Sequence, residues 1–237
     1  MSTSAIEDSA RTRLHNDPTL KFRRVAGAIA LPIGILLQAA SNAVYSLITM
    51  NGGSDATGAG ALELVSSYPT QSHLAVTLSV IGSMLIVAGV PAALRVLRPA
   101  RPRLSLVGGI LMMAGYIAYF GIVFSTTLHI ALAATDVDAA AAIDASQDNV
   151  WSFPFMILFI VGNILGTFLL GLAVLLSKQL PTVAGVLIMA WPVLHIIGLI
   201  AGTEWFAVAG ATLETIGLVM LAMAALRTSD AEWAHRG

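Results

Sequence analysis

Long apolar runs separated by short polar breaks dominate this chain, and the length of those runs constrains the fold before any single residue does. Hydrophobic positions do not recur every third or fourth residue, as on a soluble helix with one wet face, but fill whole stretches. At about 1.5 Å rise per residue, a run of about 20 crosses a hydrocarbon layer of about 30 Å. The runs predict six spanning helices, at about 24–49, 73–97, 104–134, 152–177, 182–203 and 205–226. The third is longer than one crossing requires, which predicts tilt or projection beyond the membrane. Only Gly202, Thr203 and Glu204 separate the last two. One continuous helix there would be far too long for a single crossing, so the chain is expected to reverse. The expected fold is all-α, a polytopic transmembrane bundle of six spans arranged as three hairpins. A polar tail (1–23) precedes the membrane domain (24–226), and a second tail (227–237) follows it.

Charge orients these elements. Arg11, Arg13, Lys21, Arg23 and Arg24 precede the first span; Arg95, Arg98, Arg101 and Arg103 join the second to the third; Lys178, Arg227 and Arg236 complete the set of 12 basic residues. The alternate loops, 50–72, 135–151 and 203–204, hold no Lys or Arg but carry Asp55, Glu63, Asp136, Asp138, Asp144, Asp148 and Glu204. Basic residues accumulate in loops that stay cytoplasmic, so both termini are expected there. The first 20 residues are polar and include acids, unlike a cleavable signal, so the first span is expected to remain as an anchor. Odd spans open alike, with Val25-Ala26-Gly27, Val107-Gly108-Gly109 and Val183-Ala184-Gly185, and spans 2 and 6 both close with Ala-Ala-Leu-Arg. Either three hairpins repeat in parallel, or small residues and basic anchors simply recur at helix ends.

Composition narrows the chemistry. The chain is 57% hydrophobic and 11% charged, against about 25% charged in soluble domains, and its mean hydropathy is +0.85. The absence of cysteine excludes disulfides, thiolate metal sites and cysteine nucleophiles. Gly52-Gly53 and Gly58-x-Gly60 lie in a loop without the strand and helix that a nucleotide motif needs. Nothing indicates nucleic acid. The two loops 50–72 and 135–151 read as solvated, with room for a short surface helix.

Polar residues inside the spans are the candidates for function, because an ionisable group at mid-membrane normally faces protein or water and has a partner. Glu214 is the carboxylate set deepest in an apolar run. His195 precedes Glu204 by nine residues and Glu214 follows it by ten, so the pair is expected at equal depth on antiparallel neighbours, where a proton could be shared. Pro192 is expected to open its helix locally, with Trp191 filling the space. Gln38, Asn42 and Tyr45 share one face of the first span; Ser125, Thr126 and His129 lie close together on the third; Asn163 and Thr167 are one turn apart on the fourth; His73 marks the start of the second. These groups predict a bundle sealed by apolar packing in its cytoplasmic half and holding a small polar cavity in its outer half. As plain interhelical links, such side chains contribute only about 0.6 kcal/mol each. Gly108, Gly115, Gly162, Gly166, Gly171, Gly210 and Gly217 are expected to admit close backbone approach, within the chain or between chains in a homo- or hetero-oligomer.

Two resemblances bear on this reading. Ser125-Thr126-Thr127-Leu128-His129 resembles the Ser-x-x-x-His element of membrane-embedded, zinc-dependent lipid hydrolases of the ceramidase and progestin-receptor type, but their His-x-x-x-His element is missing, since Leu199 stands four residues after His195. The six spans and the Arg-Val-Ala-Gly start at 24–27 resemble multi-span bacterial membrane families, of actinobacterial type, whose function is not known. That resemblance implies a place in a bacterial inner membrane and no catalytic residues. The expected role is binding or transport of a small or proton-linked ligand by a lipid-embedded protein, at a site drawn from His195, Glu214, Gln38, Asn42, Ser125, His129 and Asn163. A metal- or haem-dependent membrane enzyme, with His129 and His195 as the available histidines, and an assembly subunit are the alternatives. No catalytic or metal-ligating residue is assigned and the cofactor stays open.

Overall fold

The computed structural model describes residues 17–50, 52–135 and 137–236; Arg11, Arg13, Asp136 and most of the expected N-terminal tail lie outside them. All regular structure among the described residues is helical: α1 (Leu20–Thr49), α2 (Gly58–Ser67), α3 (Pro69–Leu97), α4 (Pro102–Ala133), α5 (Ala140–Gln147), α6 (Ser152–Ser177), α7 (Thr182–Ala201), α8 (Trp205–Arg227) and α9 (Asp230–His235). Six of these, α1, α3, α4, α6, α7 and α8, are long and apolar enough to cross a membrane. They are the six expected, with ends shifted by a few residues. Pro69 and Pro102 open α3 and α4 at the first helical position, where a missing N–H costs nothing. The residue that ends α7 is Gly202, left-handed at φ +66, whose N–H donates to the Gly198 carbonyl.

The long helices form a closed ring in chain order: each packs on its neighbours in sequence, and α1 closes the circle against α8. Glycines set the spacing. A Cβ on Gly115 would lie 2.5 Å from the Asn163 nitrogen, and one on Gly162 would lie 2.6 Å from the Gly115 Cα, so only hydrogen fits between α4 and α6. Gly171 and Gly185 make the same close approach between α6 and α7, and Gly210 and Gly217 between α8 and α7. Gly108, Gly115, Gly162, Gly166, Gly171, Gly210 and Gly217 are therefore engaged in contacts inside the chain.

The apolar core lies toward the end that carries the arginines. It runs from Leu20 to Ala39 on α1, Ile86 to Leu97 on α3, Leu170 to Val174 on α6, Ala184 to Trp191 on α7 and Ala211 to Ala225 on α8. A void of only about 10 Å³ remains there, between Ala28, Leu31 and Leu218, enough for about one water-sized probe. The arginines close this end. Arg24 pairs with Asp230 at 2.9 Å, Arg95 lies over the Trp233 ring at 5.2 Å, and Arg98 donates to the Arg236 carbonyl at 3.1 Å. Helix α9, absent from the sequence expectation, is the small element these contacts hold.

The opposite, acidic end is also built up. Loops expected to be solvated fold into α2 and α5, which pack together, and α2 packs against α4. Ala61, Leu64 and Val65 supply the buried face of α2, a spacing one short helix turns to one side. Its N-terminal Gly58 N–H donates to Asp144 at 2.6 Å, an acid at the positive end of a helix.

Candidate functional site

Contacts between α6, α7 and α8 form a ladder along the bundle. Ile188 touches both Gly171 of α6 and Gly217 of α8. One turn toward the acidic end come Thr167, Trp191 with Pro192, and Glu214; one turn further come Asn163 and His195. Glu214 sits between the heights of Ile188 and Trp191, because Gly217 meets the first and Gly210 the second. His195 thus lies between one and two turns beyond Glu214, and the expected equal depth does not occur. The reason is local: helix α7 stops at Ala201 and α8 starts at Trp205, so the turn is centred before Glu204, and the glycine contacts then fix the register. No hydrogen bond or ion pair joins the two side chains; His195 Nδ1 and both Glu214 oxygens are buried without a partner.

Glu214 is 0% exposed. On α8 it falls between the glycines that face α7 and Leu218 and Ala222, which face α1, so it points into the bundle, within electrostatic reach of Tyr116 on α4. Asn163 Oδ1 and Thr167 Oγ1 of α6 are likewise buried and unpartnered. His195 stacks on Trp191, with ring centroids 5.0 Å apart and planes 10° from parallel, and α7 runs through Pro192 as one helix.

A second polar group joins α1, α3 and α4. Gln38 Nε2 donates to the Ser79 carbonyl at 2.9 Å and to Ser83 Oγ at 3.0 Å. Ser79 Oγ donates to Ser41 Oγ at 2.7 Å, and Ser41 Oγ in turn to the Ala75 carbonyl at 2.8 Å. That direction leaves Tyr119 OH, 3.3 Å from Ser79, as the donor to it. Tyr119 also stacks on Phe159 at 4.9 Å and meets Tyr116 edge to face. This network was invisible in the sequence except for Gln38, since single serines in apolar runs carry no signal.

The remaining expected site residues separate from these groups. Asn42 is half-buried, Ser125 is exposed and turns its hydroxyl back to the Ile122 carbonyl of its own helix, and His73 is exposed. His129 is half-buried and lies within electrostatic reach of Asp55. Asp55 accepts from Tyr45 OH at 2.8 Å. Burial, and then the negative charge of Asp55, raise the Glu204 carboxyl above its ordinary 4.5. The acidic end therefore carries a cluster of Tyr45, Asp55, His129 and Glu204. A surface cleft of about 450 Å³ beside α2, lined by Ile48, Thr57, Glu63 and Tyr68, contains none of the expected site residues. Among the described residues no three His, Asp or Glu are placed to hold one metal ion.

Fold and site together define a helical protein with six candidate membrane-spanning helices and unpartnered polar groups, a carboxyl among them, in its interior. Comparison with protein-family models, curated proteins and solved structures yields no match.

Proposed function

We propose that the protein is a multi-pass protein of a bacterial inner membrane, six spans as three hairpins with both termini in the cytoplasm, that binds a small ligand from the outer side in a proton-linked manner. The antiparallel ladders of α1 with α3, α4 with α6 and α7 with α8 support the hairpins, and the segregation of Lys and Arg supports the orientation. The likeness to bacterial multi-span families fits the same location.

The observation that carries the functional reading is Glu214: fully buried, midway along a spanning helix, with neither oxygen hydrogen-bonded. Burying an unpaired carboxylate is far too costly to persist, so this group holds either a proton or a cation. Asn163, Thr167 and His195 lie within about two turns of it, on the acidic-end side of the apolar core, and supply further unsatisfied groups. An apolar seal on one side and a proton-binding acid on the other suit a site served from outside.

Infrared difference spectroscopy on protein reconstituted in lipid tests this. Glu214 should give a carboxylic-acid carbonyl band that vanishes in Glu214→Gln and responds to external pH. A band that ignores external pH, or a spectrum identical in wild type and Glu214→Gln, overturns the reading.

A further inference from the structure

Helices α6 and α7 touch near Gly171 and Gly185 and part toward the acidic end. The same stripe of α6 shows it: Thr167 is 0% and Asn163 2% exposed, yet Ile160 and Met156, further along that stripe, are 41% and 44% exposed. A matching stripe of α7 runs from Ile188, 0% exposed, through Pro192 and His195 to Leu199, 60% exposed. The two stripes face a gap that widens toward the acidic end and that apolar side chains line at its mouth. At its base the stacked Trp191 and His195 stand between the gap and the layer of Glu214 and Thr167.

We infer that this gap admits a hydrophobic organic monocation, such as a lipophilic amine or quaternary cation, from the outer leaflet, and that the cation takes the place of the proton on Glu214. The inference rests on the proton-linked reading of Glu214 and names its ligand. Three observations select a cation over a neutral or anionic lipid. The acid at the base has no internal counter-charge. No Lys or Arg occurs in the loops of the acidic end, which carry Asp55, Glu63 and Glu204 among their acids, so an anionic headgroup would meet only like charge. An aromatic ring, Trp191, stands at the base beside His195, and aromatic faces attract desolvated cations. Charge balances: one proton leaves Glu214 for the outer solution for each monocation bound.

The full chain in nanodiscs of neutral lipid, with empty discs as the blank, provides the test. Tetraphenylphosphonium is the probe, and tetraphenylborate, of matched shape and opposite charge, is the control. The cation should bind with release of one proton in weak buffer, the borate should show no saturable binding, and Glu214→Gln should weaken the cation by more than about tenfold and abolish proton release. Ile160→Cys combined with Leu199→Cys, in a chain that has no other cysteine, allows a bifunctional maleimide to pin the gap, which should block binding until the linker is cleaved. Equal binding of the borate, or binding without proton release, overturns the cation inference while leaving the pH-responsive Glu214 band intact. Unchanged binding to the pinned protein overturns the route between α6 and α7. Loss of the Glu214 band itself overturns the reading beneath both.

Discussion

Gln38 and Glu214 are both polar side chains deep in apolar helices, yet their energetics are opposite. Gln38 spends both N–H groups on Ser79 and Ser83, so Gln38→Leu removes two interhelical hydrogen bonds and should cost about 1–3 kcal/mol, read as a lower unfolding midpoint in detergent. Glu214 has no such partners, so Glu214→Gln should leave that midpoint unchanged or raise it. Glu204 gives the pH dependence. Its folded-state value is raised, so its contribution is fully present below about 4.5 and is lost as pH rises through the folded value. Glu204→Gln should therefore match wild type in acid and be the more stable at pH 7, as a thermal melt at two pH values will show. Glu214 and Gln38 were legible in the sequence because each interrupts a hydrocarbon run. The partners of Gln38 were not, because 41 and 45 residues separate it from Ser79 and Ser83 and a serine costs too little in an apolar run to announce itself.

At the scale of elements, hydropathy located the six long helices to within a few residues because the bilayer fixes their length. Register was not legible in the same way. Counting from Glu204 set His195 level with Glu214, whereas close contacts of Ile188 with Gly217 and of Trp191 with Gly210 decide the height. The short helices α2 and α5 were expected only as room for a surface helix in their loops, and α9 not at all, because their stability comes from tertiary contacts, such as Gly58 with Asp144 and Arg95 over Trp233, and not from hydropathy. The glycine contacts make a sharp expectation. Gly115→Leu drives a side chain into the α6 backbone at Asn163 and Gly162, and overpacking of this kind costs about 1–3 kcal/mol or more. Gly121→Leu, where an added Cβ meets nothing within 4 Å, should melt as wild type does. The comparison separates close packing from a general intolerance of bulk on α4.

Over the whole molecule the two ends differ in kind, and that asymmetry carries more functional content than any single residue. At the arginine end, salt bridges, a cation–π contact and α9 lie over a core of small and branched side chains with almost no void. Toward the acidic end, Leu199, Ile160 and Met156 stay exposed on stripes whose continuations are buried. On the proposed reading, water and lipid approach the interior from the acidic end. Because the chain has no cysteine, single replacements report this directly. In sealed vesicles of known orientation, a membrane-impermeant maleimide added outside should label Ser54→Cys quickly, and His195→Cys more slowly as the gap restricts access. Val90→Cys, 0% exposed in the sealed half, should stay unlabelled from either side, and Arg98→Cys should react only when reagent is added to the lumenal compartment equivalent to the cytoplasm. Each position tests a different link. Labelling of Arg98→Cys from outside would reverse the orientation drawn from charge, whereas labelling of Val90→Cys would mean that the apolar half is not a seal, and a site fed from one side would then have no basis.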